Sequence, residues 1–147
     1  MIPTLTNTIS RRSADSRPTD DPPRSSQFVL GGDQVGLAIA ERLQAAGHAV
    51  TVVDEGYDDA GVPGVAGPPT DVDLLAESGL ATASTVVVAT QSDARNFLVA
   101  QLVRVHFDVP RVVVLAHDPD RHSALAAAGH EPFCVPTALS ETVTEHV

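Results

Sequence analysis

The chain has 147 residues, enough for one domain with a hydrophobic core. Nineteen acidic residues face nine arginines and no lysine, and the net charge of −10 argues against nucleic-acid binding and against adsorption to anionic lipid. A single cysteine excludes an intramolecular disulfide framework, and no apolar run reaches the roughly 18 residues that cross a membrane.

The composition points to a salt-adapted protein. Hydrophobic residues make up 43% of the chain but aromatic residues only 3%, so the core must consist of Val, Leu and Ala. Abundant Asp without Lys is typical of halophilic cells whose cytoplasm is filled with salt. At molar salt the Debye length is roughly 3 Å, so dense like charge costs little there. We therefore expect the acidity to reflect adaptation rather than a functional patch.

Residues 1–26 have a different composition from the rest. Between Ser13 and Ser26, Ala14 is the only apolar side chain apart from the prolines. Such a segment buries too little surface to offset the entropy of ordering, so we predict a disordered polar tail before a domain at 27–147. The pair Arg11 and Arg12 lacks the hydrophobic stretch that follows a twin-arginine export signal, which favours a tail over a signal.

Residues 27–55 have the pattern of a strand, a glycine-rich turn, a helix and a second strand. The first strand covers 28–30, Gly47 ends the helix, and the second strand runs from 49 to 53 and stops at Asp54. This is the layout of a dinucleotide site, where the turn and the helix N-terminus hold a pyrophosphate and the acid holds a ribose. The helix is predicted to bury one stripe: Val35, Ala38, Ile39, Leu43 and Ala46.

The turn fits the G-x-G-x-x-G fingerprint at two of its three glycines. Gly31 and Gly36 take the first and third positions, whereas Asp33 takes the second. Asp54 follows Gly31 by 23 residues, close to the roughly 20 expected. A carboxylate at Asp33 could repel a phosphate, so two interpretations stay open: a nucleotide site, or glycines that serve only tight packing.

Strands and helices continue to alternate along the chain. We predict an edge or broken strand at 62–66, a helix capped by Thr70 and Asp71 that stops at Gly79, and central strands at 85–89 and 111–115. Helices are predicted after Thr90, from Asp118 to about 128, and from Pro136, with a last strand at 133–135. The helix after Thr90 should bury Phe97, Leu98, Leu102 and Val105. The predicted fold is α/β, a Rossmann-type doubly wound parallel sheet of about six strands.

Ligands of such sheets lie across the carboxyl ends of the strands, near the switch point between the first and fourth strands. By position, Asp54 should hold the adenosine ribose, which disfavours NADP because its 2′-phosphate would face a carboxylate. Thr90 should line the path of the second ribose.

Six segments resemble a known family in order and spacing. They are Val29–Gly36, Thr51–Glu55, Gly67–Leu75, Val86–Asn96, Asp108–Val114 and Cys134–Thr142. Together they resemble the N-terminal domain of the TrkA proteins, also called the regulator of potassium conductance (RCK) or KTN domain. The resemblance extends from residue 27 to the C-terminus.

The resemblance implies a non-enzymatic, cytoplasmic regulatory subunit that acts on a membrane potassium channel or transporter. It implies NAD(H) as the cofactor, or ATP/ADP in some members, and a homodimer or higher homo-oligomer without direct membrane insertion. Thr70 would lie near the adenine, and Thr90 and Asp93 near the distal half of the nucleotide. The implied cofactor-binding residues are Gly31, Gly32, Asp33, Gln34, Val35, Gly36, Asp54, Glu55, Thr70, Ala89, Thr90 and Asp93.

The sequence departs from the family at two points. Pro68 stands where the usual G-D-x-T turn has a carboxylate, and the chain stops soon after the first domain, which predicts a module that acts in trans. Two alternatives stay open: a small NAD-dependent oxidoreductase, and a degenerate module that binds a partner without nucleotide.

A cluster of polar residues suggests one further site. His117, Asp118, Asp120 and His122 could form a metal or base site. The simpler interpretation makes Asp118 a helix N-cap and the others exposed polar side chains.

Overall fold

The alternation of strands and helices predicted from the sequence builds a single sheet. A computed structural model describes residues 26–58 and 61–147, so nearly all of the predicted tail, residues 1–25, lies outside the described residues. The strands are β1 Ser26–Leu30, β2 Ala49–Asp54, β3 Gly64–Ala66, β4 Thr85–Val88, β5 Arg111–Ala116 and β6 Glu131–Cys134. The helices are α1 Asp33–Ala45, α2 Val72–Glu77, α3 Asp93–His106, α4 His122–Ala127 and α5 Val135–His146. Short 3₁₀ turns cover Leu80–Thr82 and Pro119–Arg121.

The six strands are all parallel and lie in the order β3-β2-β1-β4-β5-β6. The chain therefore winds outwards from β1 in one direction and then from β4 in the other, which confirms the Rossmann-type prediction. Leu30 is paired with Val53 on one side and with Val88 on the other, so the three central strands end level. The crevice between β1 and β4 opens at that edge.

The sheet is buried on both faces, and its central strand β4 has three consecutive valines after Thr85. On one face of the sheet, Val86 and Val88 pack against α2, α3 and α4. On the other face, Val87 packs against α1. All four residues of β4 are buried. An uninterrupted apolar run is what a central parallel strand covered by helices on both sides requires.

The predicted buried stripe of α1 is wrong at three of its five positions. Val35 is 49% exposed, and Ala38 and Ala46 are also exposed. The inward face instead carries the fully buried Gly36 and Ala40, with Leu37, Ile39 and Leu43 packed partly against the core. The close approach of Gly36 to the glycine turn sets this rotation, because a Cβ at Gly36 would collide with the carbonyl oxygen of Gly31.

The predicted stripe of α3 is wrong at two of its four positions, whereas Phe97 packs against the core and Leu102 is half-buried. Leu98 is 51% and Val105 75% exposed, whereas Asn96, Val99, Ala100 and Val103 are buried. Asn96 sets the rotation because its amide bonds to the ends of two strands. A residue two positions away lies about 200° around a helix, so Leu98 must face outwards.

Several element boundaries differ from the sequence prediction. The last strand is Glu131–Cys134 rather than 133–135, and Val135 already begins α5. The helix predicted from Asp118 is divided into a 3₁₀ turn and α4. The broken strand predicted around Pro63 is β3, which lies at the edge of the sheet as expected. Within the described residues, no helix is long and apolar enough to cross a membrane.

Candidate functional site

The glycine turn lies against the end of β4 without room for side chains. Gly31 and Gly32 have φ of +75° and +99°, and the N–H of Gly31 donates to the carbonyl of Val53 at 2.8 Å. A Cβ at Gly31 would lie 2.5 Å from the Thr90 side chain, and one at Gly32 would lie 2.6 Å from the carbonyl oxygen of Ala89. Conformation and contact therefore both require glycine here.

The turn presents backbone donors at the start of α1. The carbonyl of Gly32 accepts from the N–H groups of Val35 and Gly36 at 2.9 and 3.1 Å, which begins the helix. Within the described part of the chain, no protein atom accepts a hydrogen bond from the N–H groups of Gly32 and Gln34. Two available donors at the positive end of a helix dipole form an anion site of the kind that holds a pyrophosphate.

Asp33 keeps the backbone conformation that a glycine would give at the second position of the fingerprint. Its φ is +50°, in the left-handed region that Asp tolerates better than most residues. Its side chain is exposed, and its Oδ1 lies 3.9 Å from where a Cβ would stand on Gly56. The carboxylate thus lies towards the loop that follows β2.

Asp54 is fixed at the end of β2 by two backbone donors. It is 8% exposed, and its carboxylate accepts the N–H of Asp33 at 2.9 Å and the N–H of Gly56 at 2.8 Å. A carboxylate offers about four lone-pair directions, so acceptor capacity for ribose hydroxyls remains.

A cavity of about 250 Å³ opens between the glycine turn, the end of β2 and the loop after β4. Six of the residues predicted from the sequence line it: Gly31, Gly32, Asp33, Asp54, Glu55 and Thr90. The other four lining residues, Pro69, Gln91, Ser92 and Arg95, are not among the predicted cofactor-binding residues. Pro69, Gln91 and Ser92 do lie just past strand ends, where the ligand of such a sheet is expected, whereas Arg95 is already inside a helix and no sequence signal indicated it.

The other predicted residues lie around this cavity rather than in its lining. Gln34 lines a neighbouring cavity of about 310 Å³, which also borders Asp33 and Asp54. Neither lining includes the remaining five predicted residues: Val35, Gly36, Thr70, Ala89 and Asp93. Gly36 and Ala89 instead shape the turn.

A saturated polar network forms the far wall of the crevice. Asn96 is fully buried; its Nδ2 donates to the carbonyls of Thr90 and Leu115 at 2.9 Å each, and its Oδ1 accepts from the N–H and hydroxyl of Thr90. The Asp93 carboxylate accepts the N–H groups of His117 and Asp118, each at 2.8 Å. These two side chains tie the loop after β4 to the loop after β5.

The cluster around His117 serves the same wall. The His117 Nε2 lies 3.0 Å from the carbonyl of Thr90. Asp118 is an N-cap, as the simpler interpretation predicted, and accepts from the N–H of Asp120 at 2.9 Å. Within residues 26–58 and 61–147, no group of three or more His, Cys, Asp or Glu side chains is arranged to hold a metal ion.

One ion pair joins the two sides of the cavity. The Arg95 guanidinium, on the first turn of α3, lies 2.7 Å from the Glu55 carboxylate that follows β2. Both side chains line the cavity and both are partly exposed. Among the described residues, the lining therefore carries three carboxylates, those of Asp33, Asp54 and Glu55, and one cation.

Comparison with known proteins agrees with this geometry. Residues 28–136 match the family model of the TrkA-N domain. A Trk system potassium uptake protein TrkA homolog from Methanothermobacter thermautotrophicus is 31% identical over 110 residues, which cover 69% of this chain and 50% of that protein. The chain thus spans about half the length of that relative.

Solved structures share the fold. The NAD(P)-binding domain of an exopolyphosphatase-related protein from Archaeoglobus fulgidus superposes with a TM-score of 0.74 at 24% identity, covering 84% of this chain and 97% of that one. The GsuK channel bound to NAD superposes with a TM-score of 0.62 at 25% identity, covering 82% of this chain and 23% of the channel chain. Since the family model spans well over half of the sequence, the chain belongs to the TrkA-N domain family.

Proposed function

We propose that this chain is a nucleotide-binding regulatory module of a potassium transport system and that NAD(H) is its ligand. The observation that carries the proposal is the cavity at the switch point, where the glycine turn, with the N–H donor of Gly32, lies beside the fixed carboxylate of Asp54. An anion site beside a ribose acceptor is the combination that an adenine dinucleotide needs.

The potassium partner is proposed from relatives. The relative from Methanothermobacter thermautotrophicus is named a potassium uptake protein, and the GsuK channel has been solved with NAD. We assign residues 27–147 to the module, together with Ser26, which already pairs within β1, and the residues before Ser26 to a polar tail. The module would act in the cytoplasm as a homodimer or higher homo-oligomer, at the inner face of the membrane through a channel or transporter subunit.

The carboxylate of Asp54 favours NAD(H) over NADP, whose 2′-phosphate it would repel. ATP or ADP is the second candidate, because the cavity of about 250 Å³ is small for a complete dinucleotide. A ligand panel separates the two.

A regulatory role is favoured over hydride transfer by the cavity lining. It contains no histidine, lysine, tyrosine or cysteine, so among the described residues only carboxylates are placed there to exchange protons. The nearby ring of His117 is bonded to the Thr90 carbonyl. A degenerate module without nucleotide is the other alternative, and the excess of carboxylates in the lining favours it.

Three experiments test the function. A thermal-shift panel at molar KCl with NADH, NAD, ADP and ATP should show stabilisation, about 2.7 kcal/mol at 100 times the dissociation constant. The same protein should transfer no hydride to or from generic acceptors and donors, and turnover would support the oxidoreductase instead. In the native host, deletion of the gene should change the rate of potassium uptake. Unchanged uptake over a range of external potassium would contradict the regulatory role.

A further inference from the structure

We infer that Arg95 is the residue that binds the nucleotide phosphates, and that Glu55 competes with the ligand for it. The inference rests on the proposed function and adds two residues with opposite effects on affinity. Its basis is the position of the Arg95–Glu55 ion pair, which joins the two sides of the cavity at 2.7 Å.

The charges in the lining require such a cation. Asp33, Asp54 and Glu55 give the cavity three negative charges, and among the residues that the structure describes Arg95 is the only positive side chain that lines it. A pyrophosphate brings further negative charge into the same space. The N–H donors of the turn supply only partial positive charge, about half an elementary charge at a helix N-terminus. A full positive charge in the lining is therefore the main electrostatic attraction for the ligand.

Arg95 is held where this exchange is possible. Its backbone N–H is not available to a ligand, because it donates to the hydroxyl of the N-cap residue Ser92 at 3.2 Å. Its guanidinium, which is 37% exposed, lies against Glu55, which is 59% exposed. Partly exposed ion pairs are weak, and a guanidinium binds a phosphate as readily as a carboxylate. Replacing the Glu55 carboxylate by a phosphate therefore costs little.

Glu55 consequently acts as an internal competitor. In the protein without ligand, the Glu55 carboxylate is paired with the guanidinium of Arg95 that the phosphate would bind. After the ligand binds, Glu55 is left as an unpaired negative charge in the cavity lining. Removing its charge should strengthen binding, whereas removing Arg95 should weaken it. A ribose-binding Glu55 would behave in the opposite way.

The test is a double-mutant cycle on NADH affinity, measured by fluorescence titration of the full chain with Arg95→Gln, Glu55→Gln and the double variant. Arg95→Gln should weaken binding on the order of tenfold, as expected for a charge-assisted contact. Glu55→Gln should tighten it by about two- to fivefold, the range of an exposed ion pair. In the Arg95→Gln background, Glu55→Gln should increase the NADH affinity much less than it does in the native chain.

Two matched controls remove the effect of net charge alone. Arg104→Gln, on the same helix outside the cavity lining, and Glu41→Gln, on the exposed side of α1, change the charge equally and should leave NADH affinity within about twofold, since exposed charges distant from the ligand are screened. Weaker binding by Glu55→Gln, or equal binding by Arg95→Gln and the native chain, would overturn the inference while NADH binding itself stands. If the native chain binds no nucleotide, the proposed function fails first, and this inference with it.

Discussion

On the β1 side of the crevice the glycine turn leaves the N–H groups of Gly32 and Gln34 available, whereas on the β4 side the polar groups of Asn96 and Asp93 are engaged within the protein. Both sides lie at the same edge of the same sheet. The glycine turn on the β1 side can therefore receive a ligand, and the side chains of Asn96 and Asp93 on the β4 side form a rigid wall that holds the turn in place. Polar residues at a strand end do not all face the ligand.

The largest loss of stability should come from removing the hydrogen bonds of Asn96 in the wall on the β4 side. Asn96→Ala would remove the side-chain partner of the Leu115 carbonyl and of the Thr90 N–H, and one of the two side-chain partners of the Thr90 carbonyl, which His117 also contacts. Each unsatisfied buried group costs roughly 1–3 kcal/mol, so the free energy of unfolding should fall by about 3 kcal/mol or more. Urea denaturation at molar KCl measures it. Ser92→Ala is the control and loses only a cap bond, about 1 kcal/mol; equal losses for the two variants would contradict the role of the wall.

A smaller loss of stability, with loss of binding, is expected at the turn. Gly32→Ala places a Cβ 2.6 Å from the Ala89 carbonyl at a φ of +99°, and we expect a cost of about 2–3 kcal/mol together with loss of NADH binding. Gly47 is a matched control, because its φ is +98° and nothing lies within 4 Å of its Cβ position. Gly47→Ala should cost about 1 kcal/mol and leave binding intact. Similar results for both alanines would show that the contact with β4 is unimportant.

Two aspartates sharpen the comparison further. Asp54 and Asp93 each accept two backbone N–H groups, so their Asn variants should lose similar stability, about 1–2 kcal/mol. NADH affinity should separate them. Asp54→Asn should weaken binding by about tenfold through the lost charge-assisted bond to the ribose, and Asp93→Asn should change it by less than about twofold. Equal losses of affinity would place Asp93 in the ligand site after all.

The smallest effect is the pH dependence of the free energy of unfolding, and it comes from His130, outside the crevice. His130 is 5% exposed, its Nε2 lies 2.9 Å from the Gln101 amide oxygen, and its Nδ1 is buried without a partner among the described residues. Burial, and then the positive charge of Arg104, hold its pKa below 6.5. The unfolded chain, with a pKa near 6.5, then binds more protons, so stability is complete above that pH and falls as the pH drops through 6.5 towards the folded pKa.

His130→Leu should therefore flatten the dependence of unfolding free energy on pH between about 7.5 and 6, above most carboxylate titration. His106→Gln, an exposed histidine at the end of α3, is the control and should keep the native slope. An unchanged slope in His130→Leu would assign the pH dependence to other groups.

The fold could be predicted from the sequence because its signals are local. An apolar run such as 85–89 indicates a central strand, and a glycine turn followed by a helix and an acid indicates the first unit. Helix rotation could not be predicted. The apolar residues of α3 predict burial of Leu98 and Val105. Nothing local indicates that Asn96 is buried instead, because the hydrogen bond that satisfies its amide inside the protein comes from a strand distant in sequence.

The site was predicted in part for the same reason. Gly31, Gly32 and Asp54 follow strand ends, and they do line the cavity. Asp93 follows a strand end too, but its carboxylate is used by the loop after β5, which the local sequence does not reveal. Arg95 was missed because its position depends on its pairing with Glu55, forty residues away.

The central claim is that the open turn on the β1 side binds an adenine dinucleotide. Direct titration of the native chain with NADH at molar KCl, followed by fluorescence and run beside Gly32→Ala and Gly47→Ala, tests it most directly. The account predicts saturable binding by the native chain and by Gly47→Ala, and none by Gly32→Ala. The absence of saturable NADH binding by the native chain, or equal binding by Gly32→Ala, would contradict it.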